Sequence, residues 1–247
     1  VRVPRIPDTP ERRNLERLRS IRELVFGAQD GVLTTLGITT GVGGATGDRA
    51  TILLTGFVSL FVGAVSMGVG QYLGSKAERE VVEHWIDFER REMAEKPEEE
   101  FAEQLAYYRL KGFTPTEGRT IVSRLTKNPE IWLHEMVRDE FGIDPRDAEG
   151  TGIGSALAMA GSFVAGAIVP LVPHVFALAP VTALWLGLVL SAVALFAVGA
   201  VAGKLAHRNI WRKGFEIVVC GAIIFALAYV AGRYVPPLFG HNAVGGL

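Results

Sequence analysis

The sequence predicts an all-α integral membrane protein with five transmembrane helices and a helical domain inserted between the second and the third. The first observation is that residues 151–203 contain no Asp, Glu, Lys or Arg, although 21% of the chain is charged. A charge at the bilayer centre costs about 2.5–3.5 kcal/mol, so such a stretch is typical of membrane helices. The second is that residues 76–149 carry a net charge of −7 and the remainder a net charge of +6. An acidic soluble insert is therefore joined to a membrane part with basic flanks.

The first part of the chain is expected to hold a short surface segment and two spans. Residues 1–20 form a tail and a basic amphipathic helix, and residues 21–75 hold spans at about 21–42 and 51–73. Each span is long enough, because about 20 helical residues cross the roughly 30 Å hydrocarbon layer. A GGATGD turn joins the two spans, and Asp30 is the one charge in the body of the first.

The insert, residues 76–150, is expected to be a bundle of three or four helices. Apolar residues recur with helical spacing over 76–95, and three further helices are expected at about 97–111, 114–127 and 129–141. Pro97 suits the first turn of a helix, and Thr114 with Glu117 fits the start of the next one as a capping box. Short connections between such helices favour an antiparallel arrangement.

The last part of the chain, residues 151–236, is expected to hold three spans, followed by a tail at 237–247. The expected bounds are about 151–172, closed by Pro170 and Pro173, then 180–203 and 214–234. Basic residues crowd the N-terminal segment and the 204–213 loop, so the positive-inside rule places both, together with the insert, in the cytoplasm.

Several classes of function are disfavoured by composition. The single cysteine, Cys220, excludes an intrachain disulfide and a multi-cysteine metal site. The five histidines are scattered, and neither a phosphate loop nor a nucleophile–base pattern is present, so no enzyme activity and no nucleic-acid partner is expected. Residues 1–23 lack the apolar stretch of a cleavable signal peptide.

Paired carboxylates are the main polar feature of the insert. Glu89 and Glu92 are three residues apart, as are Glu100 and Glu103, so each pair lies on one face of a helix, and Pro97 between them allows the helices to fold back. Met136 and Glu140, four apart on the last helix, could add a thioether and another carboxylate. Such a ligand set suits divalent cations such as Mn²⁺ and Fe²⁺. The alternative is an ordinary solvated acidic face, with Met136 in the core.

Asp30 is the strongest single signal in the membrane part. A carboxylate inside a span is a functional candidate, and Gly27 and Gly31 beside it allow close approach of another helix or of a second protomer. Met67 in the second span is either a soft ligand near Asp30 or a filler that faces lipid. The pairs Gly37/Gly41, Gly70/Gly74 and Gly199/Gly203 also favour tight helix packing.

Four segments resemble the vacuolar iron transporter family, also called the CCC1-like family, over about residues 20–236. They are FGAQDGVLTTLGITTGV, SMGVGQYLGSKAERE, ERREMAEKPEEEFAEQL and HEMVRDEFGI. The resemblance implies a homodimer with five spans per protomer and a cytoplasmic metal-binding domain after the second span. It implies export of Fe²⁺, and often Mn²⁺, from the cytosol in exchange for protons.

The resemblance also assigns roles by position. Asp30 and Met67 match the family's pathway residues, and the matched metal ligands of the domain are Glu89, Glu92, Glu100, Glu103, Met136 and Glu140. Gln71 departs from the family, because many members have glutamate there, and glutamine cannot exchange a proton at neutral pH. Coupling could therefore rest on Asp30 alone or be weaker.

We thus expect a membrane transporter of Fe²⁺, with Mn²⁺, Co²⁺ or Zn²⁺ as further candidates, that works by proton antiport and serves iron homeostasis. The alternative is a membrane-anchored iron buffer or sensor without flux, for which a buried Asp30 has no use. Composition favours a bacterial cytoplasmic membrane over an acidic vacuole, with the N-terminus in the cytoplasm.

Overall fold

A computed structural model describes residues 10–144, 152–176 and 178–238. The described residues form only helices and their connections, which confirms the all-α class. In chain order the helices are α1 Pro10–Thr46, α2 Arg49–Glu95, α3 Pro97–Leu110, α4 Pro115–Leu125, α5 Pro129–Phe141, α6 Ile153–Val175, α7 Pro180–Leu205 and α8 Ile210–Leu238. The expected tail at residues 1–9, the end of the insert at 145–151 and the C-terminal tail beyond 238 lie outside the described residues.

The chain divides into two compact units. Residues 73–144 form one, called here the insert unit, and residues 10–72 with 153–238 form the other, called here the apolar unit. Helix α2 contributes to both, because it continues without a break from Arg49 to Glu95. The sequence suggested a separate helix after the second span, but no Pro or Gly interrupts residues 75–95, so the helix has no reason to stop.

Four of the described helices, rather than five, are long and apolar enough to cross a membrane: α2, α6, α7 and α8. Helix α1 is not among them, although it is 37 residues long. Charged residues fill its first turns, and Asp30 with several threonines and glycines lowers the apolar character of the rest. The amphipathic segment and the expected first span are one continuous helix, and the turn after it is only Gly47–Asp48.

Glycines bring α1 against α6 in the apolar unit. A Cβ atom on Gly27, Gly31 or Gly166 would overlap backbone or side-chain atoms of the facing helix. Gly27 lies opposite Met159, and Gly31 lies opposite Phe163, so the two helices run parallel. The small-residue pattern therefore serves packing within one chain at this place. Gly70 and Gly74 of α2 face nothing within 4 Å, so the same pattern does not predict a contact there.

Helix α2 also packs against α6. Leu60 and Ala64 of α2 form a buried cluster with three residues of α6, with Met67 packed against its edge; the α6 members are Phe163, Ala167 and Leu171. Pro170 and Pro173 lie inside α6 instead of ending it. The prediction that these prolines close the span is wrong, because apolar spans tolerate proline when neighbouring helices satisfy the freed backbone groups.

A basic side chain closes the end of α6. Arg49 Nε donates to the carbonyl oxygen of His174 at 2.7 Å, and its Nη2 donates to the carbonyl of Val175. The last carbonyls of a helix have no partners within the helix, so a guanidinium suits this position. The side chain thereby ties the first residue of α2 to the last turn of α6.

Helices α3, α4 and α5 begin and end within two residues of the predicted bounds. Thr114 and Glu117 form the capping box of α4, with the Glu117 carboxylate 2.9 Å from the backbone nitrogen of Thr114. Asn128 caps α5, and Gly142 ends it in the left-handed conformation at φ 67°. The core of the unit includes Trp132 and Val137 of α5 and Val122 of α4.

Candidate metal-binding sites

The insert unit gathers carboxylates from three helices. Glu89 and Glu92 come from α2, Glu100 and Glu103 from α3, and Glu140 from α5; these five form the carboxylate cluster. Glu89 contacts both Glu100 and Glu140, and the charges of Glu92 and Glu103 also act on the cluster. The fold thus brings together the two pairs that sequence spacing placed on separate helices.

Glu89 is the innermost member of the cluster. Its solvent exposure is 0%, and no donor reaches either of its carboxylate oxygens. Burial, followed by the adjacent carboxyl group of Glu140, raises the pKa of Glu89 to about 8. A carboxyl group in this position holds a proton near neutral pH unless another cation replaces it.

The pKa values of two neighbours of Glu89 are also raised. Burial, and then the charge of Glu103, raises the pKa of Glu100, which is 4% exposed. Burial also raises the pKa of Glu140, and the charges of Glu103 and Glu92 add to this effect. Carboxyl groups are concentrated where water is scarce, and their pKa values are raised, which is typical of functional sites.

Without a metal, the raised pKa of Glu89 favours a protonated carboxyl group in the cluster. Within residues 10–144, 152–176 and 178–238, no three His, Cys, Asp or Glu side chains take the arrangement of a formed metal centre. Adjacent carboxyl groups such as Glu89 and Glu140 can bond to one another only when one of them is protonated. Binding of a divalent cation would therefore require loss of protons and a small rearrangement of side chains.

Met136 is fully buried on α5, one turn before Glu140. Its position fits a soft ligand beside the cluster, and it also fits ordinary packing against the core of α5. Glu92 and Glu103 are more exposed and make local bonds. Lys96 Nζ lies 3.7 Å from Glu92, and the Tyr107 hydroxyl donates to Glu103 at 3.3 Å.

Three polar residues next to the cluster were not predicted: Gln104, Lys111 and Asp139. Gln104 is fully buried, and its Nε2 donates to Asp139 Oδ2 at 2.8 Å. Lys111 Nζ donates to both carboxylate oxygens of Asp139, at 2.6 and 2.5 Å. The available signal was that Gln104 follows Glu100 by four residues, which puts both on one face of α3.

A second polar site lies among α1, α2 and α6 in the apolar unit. A cavity of about 430 Å³ is lined by Arg22, Phe26, Ser66, Met67, Gly70, Gln71 and Met159. Gln71 Nε2 donates to Glu23 Oε1 at 3.2 Å, so a carboxylate adjoins this cavity. Two thioethers, an amide and a carboxylate therefore lie close together. Glu23 and Met159 were not predicted, since each looked like an ordinary helix residue.

Asp30 lies apart from that cavity within a single chain. It is half-buried and does not belong to the lining, and the Thr34 hydroxyl of its own helix lies 3.4 Å from its Oδ1. Asp30 and Met67 therefore do not line the same cavity in a single chain, and their shared role in one path of a dimer stays a prediction.

Long apolar helices, together with a separate helical unit that buries acidic side chains, define a multi-pass membrane protein with polar sites. The model of the VIT family matches residues 21–233, and the chain belongs to this family.

Similar proteins support the same assignment. The chain is 30% identical to "Vacuolar iron transporter 1" of Arabidopsis thaliana, over 87% of this chain and 86% of that protein. It is 30% identical to "Vacuolar iron transporter 1" of Oryza sativa subsp. japonica, over 85% and 82% of the two chains. "Protein CCC1" of Saccharomyces cerevisiae is 28% identical, over 85% of this chain and 67% of that protein.

Proposed function

We propose that this protein exports Fe²⁺ from the cytosol across a membrane in exchange for protons, with Mn²⁺, Co²⁺ and Zn²⁺ as further substrates. The observation that carries the proposal is the buried carboxylate cluster of the insert unit, in a chain that has relatives named as vacuolar iron transporters. Carboxylates with a nearby thioether suit divalent transition metals.

The insert unit captures the cation in this mechanism. The metal displaces the proton of Glu89, and five further side chains complete the ligand set: Glu92, Glu100, Glu103, Met136 and Glu140. Since ligands must be deprotonated, metal binding and proton release are linked. Glu89 supplies most of that linkage, because its oxygens have no other partner when ionised.

The apolar unit provides the path through the membrane. The cation passes the cavity beside Met67 and Gln71 and then reaches Asp30. The Asp30 carboxylate binds either the cation or a proton, and this competition is the simplest physical basis for antiport. Glu23 retains a titratable group next to Gln71, so proton exchange at the mouth of the path does not depend on position 71 being acidic.

The assembly is a homodimer of five-span protomers, with the N-terminus, the insert unit and the 206–209 loop in the cytoplasm. Helix α1 serves as the fifth span despite its polar residues, because its central part packs between α6, α7 and α8. The α2 face that bears Gly70 and Gly74 is open in the single chain and is available to a second protomer.

Metal flux into proteoliposomes tests the proposal. A lumenal iron-sensitive dye and a pH dye are read together, with and without an inside-acid gradient. Gradient-dependent Fe²⁺ entry with lumenal alkalinisation supports antiport. Entry that ignores the gradient contradicts antiport and favours a uniporter. Binding of Fe²⁺ without any entry contradicts transport and favours a membrane-anchored buffer.

A further inference from the structure

The orientation of the Gln104 side-chain amide follows from its hydrogen bond to Asp139. An amide has a donor end and an acceptor end, and a carboxylate can only accept. Since Asp139 Oδ2 lies 2.8 Å from one end of the Gln104 amide, that end is the NH₂ group. The carbonyl oxygen, Oε1, is then directed away from Asp139, and it is fully buried without a donor.

The partner of Gln104 is itself held in place. Both oxygens of Asp139 receive the Lys111 ammonium, and the Asp139 side chain is 8% exposed. Because the Lys111 ammonium donates to both oxygens of Asp139, these oxygens act as acceptors, and the Gln104 amide gains nothing by turning over. Lys111 and Asp139 therefore act as a clamp on the orientation of Gln104.

Gln104 adjoins members of the carboxylate cluster on two helices, α3 and α5. On α3, Gln104 and Glu100 are the two buried residues and lie one turn apart. On α5, Asp139 directly precedes Glu140. Glu89, which contacts both Glu100 and Glu140, also has orphan oxygens. A buried acceptor without a donor costs about 1–3 kcal/mol, so these oxygens favour a ligand that satisfies them together.

We propose that Gln104 is a positioning residue for the cation in the carboxylate cluster, and that its Oε1 accepts a hydrogen bond from a water molecule bound to that cation. The inference rests on the proposed metal binding by the insert unit. A neutral oxygen orients the hydrated ion without adding another negative charge, which suits a cation that has to be released again. The Lys111–Asp139 pair holds the NH₂ end of the amide and so keeps this oxygen turned away from Asp139.

The test compares Mn²⁺ binding by the full-length protein and by Gln104→Leu in detergent, using the electron paramagnetic resonance signal of free Mn²⁺. Residues that contact a metal's own ligands change its affinity by about 10–100-fold, so we expect a dissociation constant about tenfold higher in the variant. Thermal stability without metal should change little, because the substitution removes an unsatisfied buried acceptor but also one donor to Asp139, whose oxygens keep the Lys111 ammonium. A purely structural Gln104 would instead give clearly lower stability with unchanged Mn²⁺ affinity.

Two further variants sharpen the test. Ser123→Ala removes an exposed hydroxyl of the same unit and should leave Mn²⁺ affinity unchanged. Asp139→Asn keeps Gln104 but removes the ion pair, and it should weaken Mn²⁺ binding even if Gln104→Leu does not fold. Wild-type Mn²⁺ affinity in either Gln104→Leu or Asp139→Asn overturns the proposed role of Gln104 but leaves the metal site standing. Absence of Mn²⁺ binding by the wild-type protein overturns the metal site itself, and the two failures are therefore distinguishable.

Discussion

Single carboxyl groups carry the chemistry proposed for this protein, and Asp30 is the simplest to test. Asp30→Asn keeps the shape of the side chain and removes its capacity to hold a proton or a cation. We expect Fe²⁺ flux into proteoliposomes to fall to background, whereas Mn²⁺ binding by the insert unit stays within about twofold, because Asp30 shares no partner with the carboxylate cluster. Retained flux would exclude Asp30 from the path.

Glu89 predicts a dependence of stability on pH. Its pKa is 4.5 in an unfolded chain and about 8 in the fold. Between those values the folded form holds a proton that the unfolded form has lost. The contribution of Glu89 to the free energy of unfolding without metal should therefore be fully present below about pH 4.5 and be lost as pH rises to about 8.

Metal binding should show the opposite trend, because Mn²⁺ needs the ionised carboxylate. Chemical unfolding followed by fluorescence, at about pH 5 and about pH 8 with and without Mn²⁺, measures both effects. Glu89→Gln cannot titrate and should weaken both trends. Equal pH dependence in the wild type and in this variant would show that Glu89 is not the group responsible.

The residue pattern predicted part of the candidate site. Spacing placed each glutamate pair on one helical face, and Pro97 indicated the reversal between α2 and α3. Gln104 and Glu23 were missed, because their hydrogen-bond partners lie 35 and 48 residues away. Residue spacing along one helix does not reveal partners on another helix.

At the scale of helices, close packing between α1 and α6 depends on missing side chains. Gly166→Ala places a methyl group into the carbonyl of Ala28, and such overpacking costs about 1–3 kcal/mol. We expect a lower melting temperature in detergent. Gly161→Ala is the matched control, since it lies on the same helix with nothing within 4 Å. It should be neutral or slightly stabilising, because Ala favours helix by about 1 kcal/mol over Gly. Equal effects would contradict the packing.

Helix ends were predictable where a local motif sets them and not elsewhere. Thr114, Asn128 and Gly142 mark their boundaries through bonds within a few residues. The end of α6 depends on Arg49, which is 125 residues away in the chain, and local rules placed that end at Pro170–Pro173 instead. The continuity of α1 and of α2 was missed for a related reason, since a change from apolar to charged residues looks like a boundary although the backbone continues.

For the whole molecule, we expect the loop between α7 and α8 to face the cytoplasm and the start of α2 to face the opposite side of the membrane. In a Cys220→Ser background, Arg208→Cys places a thiol in the loop between α7 and α8, and Ala50→Cys places one at the exposed start of α2. An impermeant maleimide added outside intact cells should label Ala50→Cys, whereas Arg208→Cys should react only after the cells are opened. The reverse pattern would invert the proposed direction of transport.

The parallel pairing of α1 with α6 also has a consequence for biosynthesis. More than a hundred residues separate Gly31 from Gly166, and ribosomes add about 5–20 residues per second. The newborn α1 therefore waits on the order of ten seconds for the helix that covers its glycine face, and the whole insert unit is translated meanwhile. A truncated chain that stops before α6 leaves this face bare, which gives cellular quality control a feature that distinguishes unfinished chains from complete ones.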